Sequence, residues 1–185
     1  LKTGEIVIKP FVDKKLQLAS YDVTLDNEFK VVDRHATVSV DPANKIYPQT
    51  KTINIKDGEA FILHPGETVL GKQREFIGVD HKHLILLSGK SSLARIGLAV
   101  HTTAMLFNPG HHFYPTCELL NTSNVPIILR PGMEIAQIIF AELATESSKT
   151  YLGKEGVGRY DGKNSDHFRS KKVVKKSKKP GRSGK

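Results

Sequence analysis

The sequence has almost no cysteine and no long apolar segment. Its 185 residues include a single cysteine, Cys117, so the chain cannot form an internal disulfide, and this usage is typical of the reducing cytoplasm. No apolar run approaches the roughly 18 residues of a membrane-spanning helix. The first residues, LKTGEIVIKPF, lack the apolar core of a secretory leader. We therefore expect a cytoplasmic protein that has no membrane partner.

Acidic residues are missing from one end of the chain. The sequence carries 28 Lys and Arg against 19 Asp and Glu, a net charge of +9, and residues 169–185 hold nine of the basic residues and no acid. The rest is neutral, since 28 minus nine leaves 19 basic residues against 19 acidic ones. This run predicts a basic, disordered tail over 166–185, following one folded domain over 1–165. Such a tail is typical of a solvated terminus, and the alternative is a weak contact with nucleic acid.

Several motifs of phosphate and metal chemistry are also absent. The chain contains no GxxxxGK[ST] loop, no GxGxxG fingerprint and no GxSxG elbow. The H-x-E and P-C-x-x-C pair that holds zinc in one class of deaminases does not occur either. His81 and His83 would share one face of a strand, but one cysteine and scattered histidines make a poor zinc site. The sequence predicts no protein-bound metal and, in particular, no zinc.

Apolar residues alternate with polar ones along most of the chain, in short runs separated by Pro-Gly, Asn-Pro-Gly or Asp-Gly. This pattern predicts strands over 6–8, 21–25, 29–31, 36–40, 52–55, 60–63, 68–70, 84–87, 98–101, 116–120, 127–129 and 135–140. The dipeptide Asp26-Asn27 resembles a turn between the second and third runs. One short helix is predicted over 91–96, with Ser91 or Ser92 as its N-cap. Many short strands with such turns are typical of a β-sandwich or closed barrel.

The stretch 89–121, GKSSLARIGLAVHTTAMLFNPGHHFYPTCELLN, has the densest chemistry. Lys90, two serines and Arg95 stand at the start of the predicted helix, where backbone N–H groups and positive charge attract anions. Glu118 lies in an apolar strand, where burial would raise the pKa of its carboxylate and suit it to act as a general acid and base. The alternatives are ordinary helix capping and an outward-facing strand glutamate.

These segments resemble the dCTP deaminase family, a branch of the trimeric dUTPase superfamily. The resemblance covers about residues 4–168 and is carried by GEIVIKPF, QLASYDVTLDNEF, HPGETVLGKQREF, GKSSLARIGL, HTTA, NPG, TCELLN, RPGMEIAQIIF and GRYDGK. It implies a mainly β, dUTPase-like fold, a distorted β-barrel or sandwich with one or two short helices. Chains of this family normally begin with a short helix before GEIVI, so we expect residues to be missing ahead of Leu1.

The chemistry that the resemblance implies centres on Glu118. This residue matches the carboxylate that takes a proton from water, so that hydroxide adds to C4 of cytosine, and that then passes protons toward N3 and the departing ammonia. Ser91 and Arg95 match residues that support the attacked carbon, the water and the carboxylate. The backbone of Thr102 and Ala104 matches the part that holds the water. The implied catalytic residues are therefore Glu118, Ser91, Arg95 and Ala104.

The resemblance also implies a set of substrate contacts, in which Lys90 through Arg95 match the phosphate site. Asn108 matches the position near the deoxyribose, and Thr116 and Cys117 flank the base. The full set of implied contacts is Lys90, Ser91, Ser92, Leu93, Ala94, Arg95, Thr102, Asn108, Thr116, Cys117, Glu118, Gln137, Tyr151, Arg159 and Lys163. Mg²⁺ is expected on the triphosphate rather than in a protein cage. A homotrimer with sites between subunits and inhibition by dTTP are implied in the same way.

Four departures from the family pattern bear on the reaction. Asn108 stands where Asp is usual, and an amide cannot activate the water that attacks a phosphate. Lys163 replaces Gln, His111-His112 replaces an aromatic and polar pair, and Tyr114 stands where Gly is common.

The leading interpretation is zinc-independent hydrolysis of dCTP to dUTP and ammonia, in pyrimidine deoxynucleotide metabolism. One alternative is a bifunctional enzyme that continues to dUMP, against which Asn108 argues. The others are a plain dUTP diphosphatase and a nucleotide-binding homologue without turnover.

Overall fold

The fold is built almost entirely from short strands. The computed structural model describes residues 3–149 and Tyr151. Its helical elements are a 3-10 helix at Asp13–Lys15 and the α-helix α1 at Ser91–Ala94. The strands are β1 Ile6–Lys9, β2 Tyr21–Val32, β3 Thr50–Asn54, β4 Phe61–Leu63, β5 Thr68–Gln73, β6 Phe76–Val79, β7 His83–Gly89, β8 Leu98–Ala99, β9 Leu106–Phe107, β10 His112–Phe113, β11 Thr116–Asn121, β12 Ile127–Leu129 and β13 Glu134–Glu142.

The long strand β2 joins the parts of the largest sheet. Eight strands form this sheet, in the order β8-β11-β5-β2-β13-β7-β9, with β3 paired to the far end of β2. All its strand pairs are antiparallel, and the sheet curls into a half-barrel. A three-stranded sheet, β1-β6-β10, and the pair β12-β4 complete the fold. This topology puts β11, which carries Glu118, between β8 and β5.

The core lies inside the curled sheet. Its largest fully buried side chains include Tyr21, Leu25 and Phe29 of β2, and Phe29 stacks on Phe61 with ring centroids 4.6 Å apart. Alternating burial along β5 and β11 turns every second side chain inward, as expected for strands with one covered face. The inward set drives folding, and the outward set is left for other contacts.

The mainly β class is confirmed, and the described residues include one short α-helix and one 3-10 helix. Most of the predicted strands are present, with small shifts of their ends. The predicted strand 36–40 was wrong, because these residues form turns and irregular backbone and the Val38 side chain is fully exposed. The expected turn at Asp26-Asn27 was also wrong, since β2 runs through it with an irregularity between Leu25 and Phe29.

The predicted helix is present as the single turn α1, but its cap differs from the expectation. Lys90 is the N-cap residue, and its side chain makes no capping hydrogen bond. The predicted boundary at residue 165 and the tail over 166–185 lie outside the described residues. No helix in the described part of the chain is long and apolar enough to cross a membrane.

Candidate active site

The alternation along β11 decides which way Glu118 points. Cys117, Leu119 and Asn121 are fully buried, whereas the residues between them are only half-buried. Glu118 therefore lies on the outer face of the sheet, opposite Leu70 of β5 in the strand register. Within the described residues its carboxylate has no hydrogen bond or ion pair. The structure thus shows the outward-facing alternative rather than a buried carboxylate. Because no group among the described residues binds this carboxylate, it is available to a ligand.

The neighbouring Cys117 belongs to the core. Burial, with a smaller contribution from the charge of Glu118, raises the pKa of its thiol to about 12. The thiol therefore stays protonated and unreactive at neutral pH. Any contact of this residue with a base has to come from its backbone, since the side chain faces inward.

Asn121, at the end of β11, holds the local structure together. Its side-chain amide donates to the carbonyls of Leu63 at 2.9 Å and Val125 at 2.8 Å. Its side-chain oxygen accepts from the backbone and hydroxyl of Ser123 at 2.9 and 2.7 Å. The TCELLN block thus combines an outward carboxylate with a buried amide that secures the turn after the strand.

This turn also fixes α1 relative to β11. The backbone and hydroxyl of Thr122 donate to the carbonyl of Gly97 at 2.8 and 2.9 Å. Gly97 has φ of +88°, and a Cβ there would lie 2.7 Å from the Ser123 Cβ and 2.8 Å from its backbone nitrogen. Only glycine fits this conformation and this spacing. The segment that carries Ser91 and Arg95 is therefore attached to the end of the strand that carries Glu118.

A polar cavity of about 480 Å³ opens beside the start of α1. One wall is the turn 17–20, and the other comes from α1 and β13. The Ser20 hydroxyl donates to the Gln137 side-chain oxygen at 2.8 Å, and the Gln17 amide donates to Asp22 at 3.0 Å. Its complete lining is Gln17, Leu18, Ala19, Ser20, Asp22, Lys90, Ser91, Ser92, Glu134 and Gln137.

Lys90 binds two carboxylates at the edge of this cavity. Its ammonium lies 2.8 Å from Asp22 and 2.8 Å from Glu134. Burial alone would lower the pKa of Lys90, but the hydrogen bonds to Asp22 and Glu134 outweigh it and raise the pKa above 10.5. The hydrogen bond from Lys90 in turn lowers the pKa of Glu134. Lys90 and Glu134 therefore form a charged pair at neutral pH.

A buried ion pair between Lys15 and Glu75 stabilises the segment that leads into the turn 17–20. The Glu75 carboxylate is fully buried and lies 2.7 Å from the Lys15 ammonium. It also accepts from the backbone of Thr24 at 2.8 Å and from the Thr24 hydroxyl at 2.7 Å. Lys15 ends the 3-10 helix that leads into the turn, so this pair sets where the cavity wall begins.

Asn108 belongs to a loop supported by aromatic rings. His111 packs against Phe107, Phe113 and Tyr151, and the Tyr151 backbone donates to the Pro109 carbonyl at 3.2 Å. Burial lowers the pKa of His111 to about 4, against a smaller opposing effect of the Asn108 backbone. His111 is therefore a neutral core residue at pH 7.

The structure brings together some of the residues that the sequence indicated. Lys90, Ser91, Ser92 and Gln137 line the cavity, while Thr116 lies with Glu118 on the outer face of β11. The side chains of Arg95, Thr102, Ala104 and Asn108 are exposed, Leu93 packs on the core, and Ala94 is exposed on α1. Arg159 and Lys163 lie outside the described residues.

Sequence reasoning missed Asp22, Glu134 and Ser20 as parts of the cavity. The blocks QLASYD and RPGMEIAQ contain them, but nothing in the local pattern shows that they meet at Lys90. A carboxylate at a buried strand position such as Asp22 was the one usable signal, since buried charges need partners.

The cavity residues could hold Mg²⁺ only together with ligands from a bound molecule or water. Mg²⁺ prefers oxygen ligands and usually keeps substrate phosphates and water around it, and Asp22, Glu134 and the serine hydroxyls offer oxygens. No group of three or more His, Cys, Asp and Glu within the described residues could hold a metal ion. Asp22, Glu134 and the serine hydroxyls could therefore supply only part of the coordination of such an ion.

Comparison with known proteins gave concordant matches. The sequence profile described as dCTP deaminase-like matches residues 1–143. A Clavibacter michiganensis protein named "dCTP deaminase, dUMP-forming" is 41% identical over 88% of this chain and 81% of its own length. A protein of the same name from Beutenbergia cavernae is 39% identical over 86% of this chain and 83% of its own length.

A solved structure resembles the fold. It is the 2'-deoxycytidine 5'-triphosphate deaminase from Agrobacterium tumefaciens, with a TM-score of 0.58 and 16% sequence identity. The match covers 77% of this chain but only 44% of that one, so this chain spans less than half its length. At this identity the likeness concerns the fold alone.

Proposed function

The chain belongs to the dCTP deaminase-like family, and from this premise we propose that it deaminates dCTP and carries the resulting dUTP on to dUMP. The observation that carries the proposal is the match to two proteins named "dCTP deaminase, dUMP-forming", at 41% and 39% identity over most of the chain. The outward, unpartnered Glu118 and the polar cavity beside α1 support it. The formation of dUMP was the alternative, not the leading interpretation, of the sequence.

Glu118 performs the proton transfers of the deamination in this proposal. Its carboxylate takes a proton from water while hydroxide adds to C4 of cytosine, and the carboxyl then gives this proton to N3. The proton of the new C4 hydroxyl next passes through Glu118 to the amino group. The bond from C4 to nitrogen breaks, ammonia leaves, and a C4 carbonyl remains. Ser91 and Arg95 support the carboxylate and the water.

The phosphates occupy the cavity beside Lys90, Ser91 and Ser92. Hydroxyl groups and a lysine ammonium are ordinary phosphate donors, and Gln137 of β13 adds an amide in the same wall. Mg²⁺ bound to the triphosphate would neutralise part of its charge. The protein residues orient the tail, and no zinc takes part.

Arrest at dUTP is the second candidate, and Asn108 favours it. An amide at this position cannot take a proton from the water that attacks a phosphate. Incubation of the purified protein with dCTP and Mg²⁺, followed by chromatography of the products, separates the two. Accumulation of dUMP supports the proposal, whereas accumulation of dUTP would favour the second candidate. Loss of dUTP with intact dCTP would indicate a diphosphatase, and no change in either nucleotide would indicate a binding protein.

We predict that Glu118→Gln abolishes deamination and leaves dCTP binding in place. The amide has nearly the same shape but cannot shuttle protons, so kcat should fall by about a thousandfold or more. Chromatography measures turnover, and calorimetry measures binding. Glu142→Gln, which removes an exposed carboxylate at the end of β13, is the matched control and should keep full activity. Appreciable turnover by Glu118→Gln would remove this mechanism.

Zinc independence has its own test. We predict that a zinc chelator, with Mg²⁺ restored afterwards, leaves the deamination rate unchanged. Loss of activity that only zinc reverses would contradict the proposed mechanism. Assembly as a homotrimer, inhibition by dTTP and a cytoplasmic location complete the proposal.

A further inference from the structure

Lys90 lies between two carboxylates of different character. Asp22 is buried and also accepts from the Gln17 amide, so its position is fixed by the fold. The Glu134 side chain is 43% exposed and has Lys90 as its partner. A lysine ammonium has three donor hydrogens, and the two carboxylates take two of them. Glu134 is thus the partner that an incoming anion can displace.

The charges around the cavity do not favour a phosphate tail. Lys90 is the one cation among the described residues that line it, and Asp22 and Glu134 are the two anions. Two carboxylates and one ammonium group together carry a formal charge of minus one. A triphosphate has to compete with Glu134 for Lys90 and also meets its repulsion.

We propose that Glu134 is a specificity-determining residue that weakens phosphate binding by competing for Lys90, and that its effect grows with the number of phosphates on the nucleotide. This inference rests on the proposed function, because it places the phosphates of dCTP in the cavity beside α1. Glu134 should not affect the binding of a nucleoside without phosphates, and it should weaken the binding of the triphosphate most. The affinity of the site for phosphorylated nucleotides would thereby stay moderate.

The test compares Glu134→Gln with the parent protein by titration calorimetry. Both full-length proteins carry Glu118→Gln to prevent turnover, and dCTP, dCMP and deoxycytidine are the probes at one fixed Mg²⁺ concentration. We expect the Kd of dCTP to fall about two- to fivefold, the range of a partly exposed charge pair. The Kd of dCMP should fall less, and that of deoxycytidine should not change. Added salt should reduce the difference, since it screens exposed charges.

Glu142→Gln is the matched control, because Glu142 lies at the other end of β13 and is also paired with a lysine, Lys82. It should leave all three dissociation constants unchanged. An unchanged or higher Kd of dCTP in Glu134→Gln would overturn the inference, and a higher value would mean that Glu134 positions Lys90 or binds the Mg²⁺. An equal fall for deoxycytidine would overturn it as well. If the folded parent protein binds no dCTP, the proposed function fails first and this inference fails with it.

Discussion

At the scale of single residues, one strand position decides between reactive and inert chemistry. Glu118 and Cys117 are neighbours in sequence, but the strand sends their side chains to opposite faces of the sheet. The carboxylate meets solvent, while the thiol is fully buried and has a pKa raised to about 12. The same alternation makes Asn121 a buried support, although it belongs to the same short block.

His111 gives a prediction about pH and stability. Burial lowers its pKa to about 4 in the folded protein, against about 6.5 in the unfolded chain. Between these two pH values the His111 side chain is protonated in the unfolded chain and neutral in the folded protein. The free energy of unfolding should therefore fall as the pH drops from 6.5 to 4, by up to about 1.4 kcal/mol per pH unit from this residue.

The variant His111→Phe isolates this contribution. Phenylalanine keeps a ring against Phe107 and Phe113 and does not titrate. The unfolding free energy of the variant protein should therefore fall less steeply over the same pH range. Urea unfolding at several pH values and one protein concentration measures both slopes. Equal slopes in the two proteins would show that His111 is not the group responsible.

At the scale of elements, Gly97 lies just after α1 and connects it to the end of β11. We predict that Gly97→Ala destabilises the protein by about 2–4 kcal/mol, because the added Cβ costs backbone energy at positive φ and collides with Ser123. Gly58→Ala is the control, since Gly58 has φ of +83° with no atom within 4 Å of a Cβ. It should cost only about 1–2 kcal/mol. Similar losses in the two variants, measured by urea unfolding, would contradict the steric part of the argument.

The buried pair behind the cavity wall gives a second prediction at this scale. Lys15→Met leaves the Glu75 carboxylate buried without its cation, which should cost about 3–5 kcal/mol. The double variant Lys15→Met/Glu75→Gln should recover most of this loss, because a neutral amide can still bond to Thr24. Urea unfolding of the three proteins checks both statements. A double variant as unstable as Lys15→Met would mean that the charge is not the cause.

The sequence predicted strands better than it predicted partners. The alternation of apolar and polar residues predicted β11 and β13, because each strand has one face against the core. This alternation can be read from the local sequence alone. The partners of Lys90 are 68 and 44 residues away in sequence, so they depend on how β2, α1 and β13 come together. The strand expected over 36–40 failed for a related reason, since Val38 finds no apolar surface within the protomer and is fully exposed.

At the scale of the whole molecule, residues that the resemblance assigns to one site do not meet within the described part of the chain. Arg95 and Glu118 make no hydrogen bond or ion pair with each other in the described part of the chain, although the resemblance assigns Arg95 to the support of Glu118. Leu18 and Val38 are also fully exposed apolar side chains. Both observations are expected if neighbouring subunits complete the site.

This arrangement predicts complementation between inactive subunits. If the proposed homotrimer forms, Glu118→Gln and Arg95→Ala proteins should each be nearly inactive, and co-expressed subunits should form mixed trimers. If each site takes Glu118 from one subunit and Arg95 from the next, random mixing should restore roughly a quarter of the sites. The deamination rate of the purified mixture, compared with wild type, measures this fraction. A mixture as inactive as its two components would place both residues of a site in the same subunit.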